Sequence, residues 1–92
     1  MRTIDTNDEL LISRLRERLT DVRYYGLDNE YAGKTVLSGT AWKALEEPGA
    51  RLVEVNALLG IYKIVLDDHR WYQLRTAVEF EPLPQPPVVQ AA

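Results

Sequence analysis

Hydrophobic positions in the first twenty residues recur with the period of a helix. Leu11, Leu15 and Leu19 are four residues apart, so they line one face of a helix. Thr6 and Glu9 have capping-box spacing, in which both side chains accept hydrogen bonds from backbone N–H groups of the first turn. The pattern predicts a helix from about residue 7 to residue 19 with Thr6 as its N-cap.

The middle of the chain predicts two short strands and a short helix. Alternation of polar and apolar residues over 21–26 and the branched residues of 34–37 indicate strands. The Ser-Gly-Thr triplet at 38–40 offers an N-cap for a two-turn helix over 41–47. Pro48 disfavours the helical conformation of the residue before it, so the helix should end there.

The last third of the ordered part has the two-residue period of a half-buried sheet. Residues 51–57 alternate, and residues 58–66 are apolar and branched around Gly60, where a bend is expected. The polar segment 67–70 predicts a hairpin turn into a strand over 71–80. Such short links are too short for parallel crossovers, so the strands should be antiparallel.

These elements predict a small α+β domain, with an antiparallel sheet of three to five strands and two helices packed on one of its faces. The compact domain should span residues 1–81. Residues 82–92 hold four of the five prolines, which predicts an extended, flexible tail that the domain does not need in order to fold. The Pro-x-x-Pro pattern at 84–87 leaves docking of this tail on a partner as an alternative.

The amino-acid composition excludes several kinds of active site and binding site. The 92 residues include no cysteine, which excludes disulfide scaffolds, thiol catalysis and cysteine-ligated metals. The net charge of −3 argues against a general polyanion binder. The N-terminal residues include two acids and lack the apolar stretch of an export signal, so we expect a cytoplasmic protein. We also expect the protein to bind no cofactor.

The candidate for catalysis is the only histidine, His69, which follows Asp67 and Asp68. An Asp-x-His pair could act in acid–base chemistry or supply two metal ligands. A hairpin turn is exposed to solvent, however, and offers no cavity that would shift a pKa. A small enzyme or enzyme subunit using these three residues is therefore the alternative rather than the first hypothesis.

A second alternative is nucleic-acid binding through the first helix. Arg14 and Arg18 are four residues apart and share a helix face. A recognition helix normally has a second helix packed across it, whereas the segment after this helix is predicted to be extended. We therefore expect direct nucleic-acid binding to be the weaker hypothesis.

Adjacent aromatic residues give the strongest functional hint. Tyr24 and Tyr25 are neighbours in one predicted strand, and Trp71 and Tyr72 are neighbours in another. Because neighbouring residues of a strand point to opposite faces, one member of each pair should face away from the core. Exposed Tyr and Trp are favoured anchors for protein contacts. These four residues are the candidate partner-binding site.

The sequence therefore favours a non-catalytic protein-binding module, such as a small inhibitor or adaptor of the phage or plasmid type. Its partner would be another protein, for instance a component of a nucleic-acid-handling complex. Association with a second copy of the chain is an alternative that would bury the same aromatic residues.

Overall fold

The fold is a six-stranded antiparallel sheet with two helices, and a computed structural model describes it over residues 1–26 and 33–78. The elements in chain order are β1 (Arg2–Ile4), α1 (Glu9–Arg18), β2 (Leu19–Tyr25), β3 (Lys34–Thr35), α2 (Ser38–Ala44), β4 (Arg51–Asn56), β5 (Ile61–Asp67) and β6 (Arg70–Thr76). The strand order is β1-β4-β5-β6-β2-β3, and every neighbouring pair is antiparallel.

The α+β class and the antiparallel sheet are confirmed, but the expected range of three to five strands was one too low. The additional strand is β1, whose three residues are too few to show a period. It pairs with β4, where Ile4 lies opposite Leu52, and Arg2 Nη2 lies 2.6 Å from Glu54 Oε1. The last strand ends at Thr76, and the predicted tail at 82–92 lies outside the described residues.

The first helix begins two residues later than the capping-box pattern predicted. Asp8, not Thr6, is the N-cap, and its Oδ1 accepts a hydrogen bond from the Leu11 N–H at 3.1 Å. Thr6 lies in a preceding turn, in which the Asp5 carbonyl accepts from the Asp8 N–H at 3.1 Å. An aspartate caps well because its charge also interacts favourably with the helix dipole. The chain passes from α1 directly into β2 at Leu19.

The second helix also begins elsewhere than predicted. The triplet 38–40 forms its first turn instead of capping it, and the N-cap position is Leu37, which makes no side-chain capping bond. Packing of its apolar face therefore holds this helix in place, because Ala41, Trp42 and Ala44 are all buried.

One face of the sheet and both helices share a single apolar core. Leu52, Ile64 and Tyr72 lie directly opposite one another on three adjacent strands, which fixes the face to which they belong. The helices cover this face with Leu15 and Trp42. The buried cluster consists of Ile4, Leu15, Val22, Ala41, Trp42, Ala44, Leu52, Ile64, Leu66, Tyr72 and Leu74. We call this side of the sheet the covered face and the opposite side the open face.

Gly60 makes the turn between β4 and β5. Its φ of 68° lies in the left-handed region, and its carbonyl accepts a hydrogen bond from the Thr76 N–H at 2.9 Å. A Cβ at this position would lie 2.6 Å from Thr76 Oγ1 and 2.7 Å from the Thr76 carbonyl oxygen. Glycine is therefore required here, and β5 begins at Ile61, three residues after the predicted start.

Truncation of the mid-helix leucine tests the covered face. Leu15 is only 5 % exposed, whereas Leu10 on the same helix is 64 % exposed. We expect Leu15→Ala to lower the free energy of unfolding by about 2–5 kcal/mol, because it leaves a cavity in the core. Leu10→Ala should change it by less than about 0.5 kcal/mol. Urea denaturation of both variants is the measurement, and equal stabilities would show that α1 does not seal the sheet.

Candidate functional site

The register of β2 and β6 separates the four candidate aromatic residues into two pairs. Tyr24 lies opposite Tyr72 and Tyr25 lies opposite Trp71. The Tyr24 and Tyr72 rings pack on the covered face, with centroids 5.0 Å apart and planes at 52°. Burial raises the pKa of the Tyr72 phenol above its usual value, and the nearby Tyr24 adds to the shift. These two residues therefore belong to the core side of the sheet.

The other pair lies on the open face. The Tyr25 and Trp71 rings are stacked, with centroids 5.4 Å apart and planes at 9°. Both side chains are half-buried. The structure thus brings the outward members of two sequence-adjacent pairs into one aromatic stack. We call these two residues the aromatic stack.

A lysine completes the surroundings of the tryptophan. Lys63 Nζ lies 4.9 Å from the centre of the Trp71 ring, a cation–π distance. Lys63 belongs to β5 and Tyr25 to β2, and these strands flank β6 on opposite sides. The indole is therefore held between a cation and a phenol ring. Its edge is the part that it offers to an incoming molecule.

The open face is basic although the chain as a whole is acidic. By register, its strand positions include four cations and one carboxylate: Arg23, Arg51, Lys63, Arg75 and Asp21. Asp67 and Arg70, at the end of the β5–β6 hairpin, form an ion pair and cancel. The face thus carries a net charge of about three positive, against −3 for the whole chain.

Three of these cations, Arg51, Lys63 and Arg75, form no ion pair within the part of the chain that is described. Arg23 Nε donates to Asp21 Oδ2 at 2.8 Å, so that pair is internally balanced. Arg51 and Arg75 are exposed and form no ion pair with a residue of the described ranges. Their guanidinium groups can therefore donate hydrogen bonds to another molecule.

Aliphatic side chains fill the space between the cations. Val53 is only 7 % exposed, yet it does not belong to the cluster on the covered face. It lies opposite Lys63, while Val65 lies opposite Trp71. Ile61 extends the same side of the sheet. The open face therefore combines an apolar centre with cationic surroundings.

No sequence motif points to the basic and aliphatic residues of this face. Arg51, Lys63 and Arg75 carry no motif and are not close in sequence. The signal that could have found them is the two-residue period, since Lys63 and Arg75 are outward positions of the same hairpin as Trp71. Using that signal requires the strand register, which the sequence did not fix.

The His69 region is an exposed turn. Asp67 Oδ1 accepts from the His69 backbone N–H at 2.8 Å, and Asp67 Oδ2 accepts from Arg70 Nε at 2.9 Å. These two contacts, the backbone N–H first, lower the pKa of Asp67 below its usual value. Both carboxylate oxygens thus hold the hairpin together. Asp68 is exposed, and the described residues contain no group of three or more potential ligands that could hold a metal.

Arg14 and Arg18, two of the three arginines of α1, lie on the covered side of the sheet. Arg14 and Arg18 line a cleft of about 380 Å³ together with apolar residues that include Leu58, Tyr62 and Val78. They do share one helix face, as their spacing predicted. The cleft walls are largely aliphatic.

No family model matches the chain, and neither a curated protein nor a solved structure matches it. Within residues 1–26 and 33–78, no helix is long and apolar enough to cross a membrane. Function is therefore inferred from the side chains of the open face and from their charge.

A double-mutant cycle tests the aromatic stack. We expect Tyr25 and Trp71 to be coupled by about 0.5–1.5 kcal/mol, because stacked rings gain that much beyond area burial. The cycle compares Tyr25→Ala, Trp71→Ala and the double variant by urea denaturation. As a control, Tyr25→Ala combined with Leu10→Ala on α1 should be additive. Additivity of the Tyr25 and Trp71 substitutions would mean that the rings do not stack in solution.

Proposed function

We propose that this chain is a cytoplasmic, non-catalytic protein-binding module, an inhibitor or adaptor, and that it binds its partner through the open face. The observation that carries the proposal is the aromatic stack of Tyr25 and Trp71, half-buried on a face that no described helix covers. Tyr and Trp that become fully desolvated at an interface are typical hot spots, since each buries a large apolar area at little cost in rotamer entropy.

The surroundings of Trp71 favour a protein over a nucleic acid as the partner. Single-stranded nucleic acids bind by stacking bases on free aromatic faces. Here Tyr25 covers one side of the indole, and Lys63 lies over the ring from the opposite neighbouring strand. A base could stack on Trp71 only by displacing one of them. A protein side chain can pack against the indole edge without doing so.

The catalytic alternative has less support. Asp67 uses both carboxylate oxygens within the hairpin turn, so it is not directed at the imidazole of His69. His69, which would carry the proton transfer, is exposed in the hairpin turn. His69→Ala therefore serves as a control rather than as a test of the binding face.

The proposal is tested by comparing which proteins the wild type and matched variants capture. Proteins from the source cell are captured on the wild type, Trp71→Ala, Tyr25→Ala, Leu10→Ala and His69→Ala. The partner is the protein that Leu10→Ala and His69→Ala retain and that both aromatic variants lose. With the purified partner, truncation of Trp71 should weaken binding about thirtyfold or more, which corresponds to about 2 kcal/mol.

Circular dichroism melting curves confirm that each variant is folded before its binding is measured. The proposal is wrong if the folded His69→Ala variant no longer binds the partner while the folded aromatic variants bind it as the wild type does. It is also wrong if the purified partner protects α1 but leaves the strands of the open face unchanged in amide exchange.

A further inference from the structure

The charge of the open face says what kind of partner it fits, and this inference rests on the proposed function. Four cations and one carboxylate occupy its strand positions, and Asp21 pairs with Arg23. Among the described residues, Arg51, Lys63 and Arg75 are therefore left without a paired carboxylate. Like charges across an interface cost free energy, whereas complementary potentials speed association and fix the partner's orientation.

These three cations lie around the aromatic stack. Arg51, Val65, Trp71 and Tyr25 follow one another across four adjacent strands in register. With about 4.8 Å between strands, the Arg51 backbone lies about 10 Å from that of Trp71. Arg75 is four residues further along β6 than Trp71, or about 13 Å away. One short segment of a partner can therefore reach the stack and both guanidinium groups.

Lys63 links the apolar and the charged parts of the face. Its ammonium group lies over the Trp71 ring, which holds the charge beside the aromatic stack. A carboxylate that approaches this ammonium also brings its own apolar neighbour against the indole edge. Arg51 and Arg75 can each receive a carboxylate in a bidentate arrangement, the strongest common form of this contact.

The same charges disfavour a second copy as the occupant. Packing two open faces against each other would oppose two sets of Arg51, Lys63 and Arg75, with only one Asp21 on each side. That arrangement leaves several desolvated cations without counter-charges, which is costly.

We propose that the open face binds an acidic protein segment. Aspartate or glutamate side chains of the segment pair with Arg51, Lys63 and Arg75, and an apolar or aromatic side chain packs against the edge of the aromatic stack. The partner is thus recognised by carboxylates arranged around one hydrophobic anchor.

The test pans a displayed library of random 16-residue peptides against the full-length chain. Peptides are kept only if Trp71→Ala abolishes their binding. We expect these peptides to carry a clear excess of Asp and Glu and at least one large apolar residue. Their affinities, measured by calorimetry, should fall about tenfold or more between 50 and 300 mM salt, because exposed charge pairs are screened.

Two matched double variants show whether the cations of the open face, rather than the net charge of the chain, are responsible for peptide binding. Arg51→Gln with Arg75→Gln removes two cations from the open face, and Arg14→Gln with Lys43→Gln removes two from the helices. The first should weaken the selected peptides by about tenfold or more, and the second by less than about twofold. Equal effects of the two variants would overturn the inference, since net charge alone would then account for binding.

The remaining outcomes separate this inference from the proposed function. Trp71-dependent peptides that are neutral or basic overturn the acidic partner and leave the protein-binding role in place. If no Trp71-dependent peptide appears, the acidic-segment inference and the proposed protein-binding function are both wrong. Trp71-dependent binding of a 20-nucleotide single strand of DNA, or a Trp71-dependent dimer in sedimentation, would assign the face to a nucleic acid or to a second copy instead.

Discussion

Everything in this structure depends on one constraint: a sheet has two faces, and the two helices pack on only one of them. Because side chains alternate along each strand, every residue that joins the core places its neighbours on the other side. Tyr72 and Tyr24 join the core, so Trp71 and Tyr25 meet on the open face. The register that builds the core therefore also builds the candidate site.

Much of the fold could be predicted from the sequence, because its periods are long enough to read. The Leu11–Leu15–Leu19 stripe predicted α1, and the polar turn at 67–70 predicted the hairpin that joins β5 to β6. The three residues of β1 are too few to show alternation. The choice between Thr6 and Asp8 as N-cap was decided by the turn that precedes the helix, which the sequence pattern does not describe.

The site was less predictable than the fold. Adjacent aromatic pairs indicated that one ring of each pair would face outward, but not which ring, and not that the two outward rings would stack. The placement of Arg51 and Lys63 relative to Trp71 depends on cross-strand register. That register shifts in β4 between Glu54 and Asn56 and at the end of the β5–β6 hairpin. Such irregularities leave no clear trace in the hydrophobic pattern.

The central claim is that Trp42 is buried between α2 and the sheet, whereas Trp71 lies on the open face, where the partner covers it. Acrylamide quenching of fluorescence in the single-tryptophan variants Trp42→Phe and Trp71→Phe tests this claim most directly. In the free protein we expect Trp71 to be quenched and Trp42 to be protected, and partner binding should protect Trp71 alone. A protected Trp71 in the free monomer, or a Trp71 still quenched in the complex, would contradict the claim.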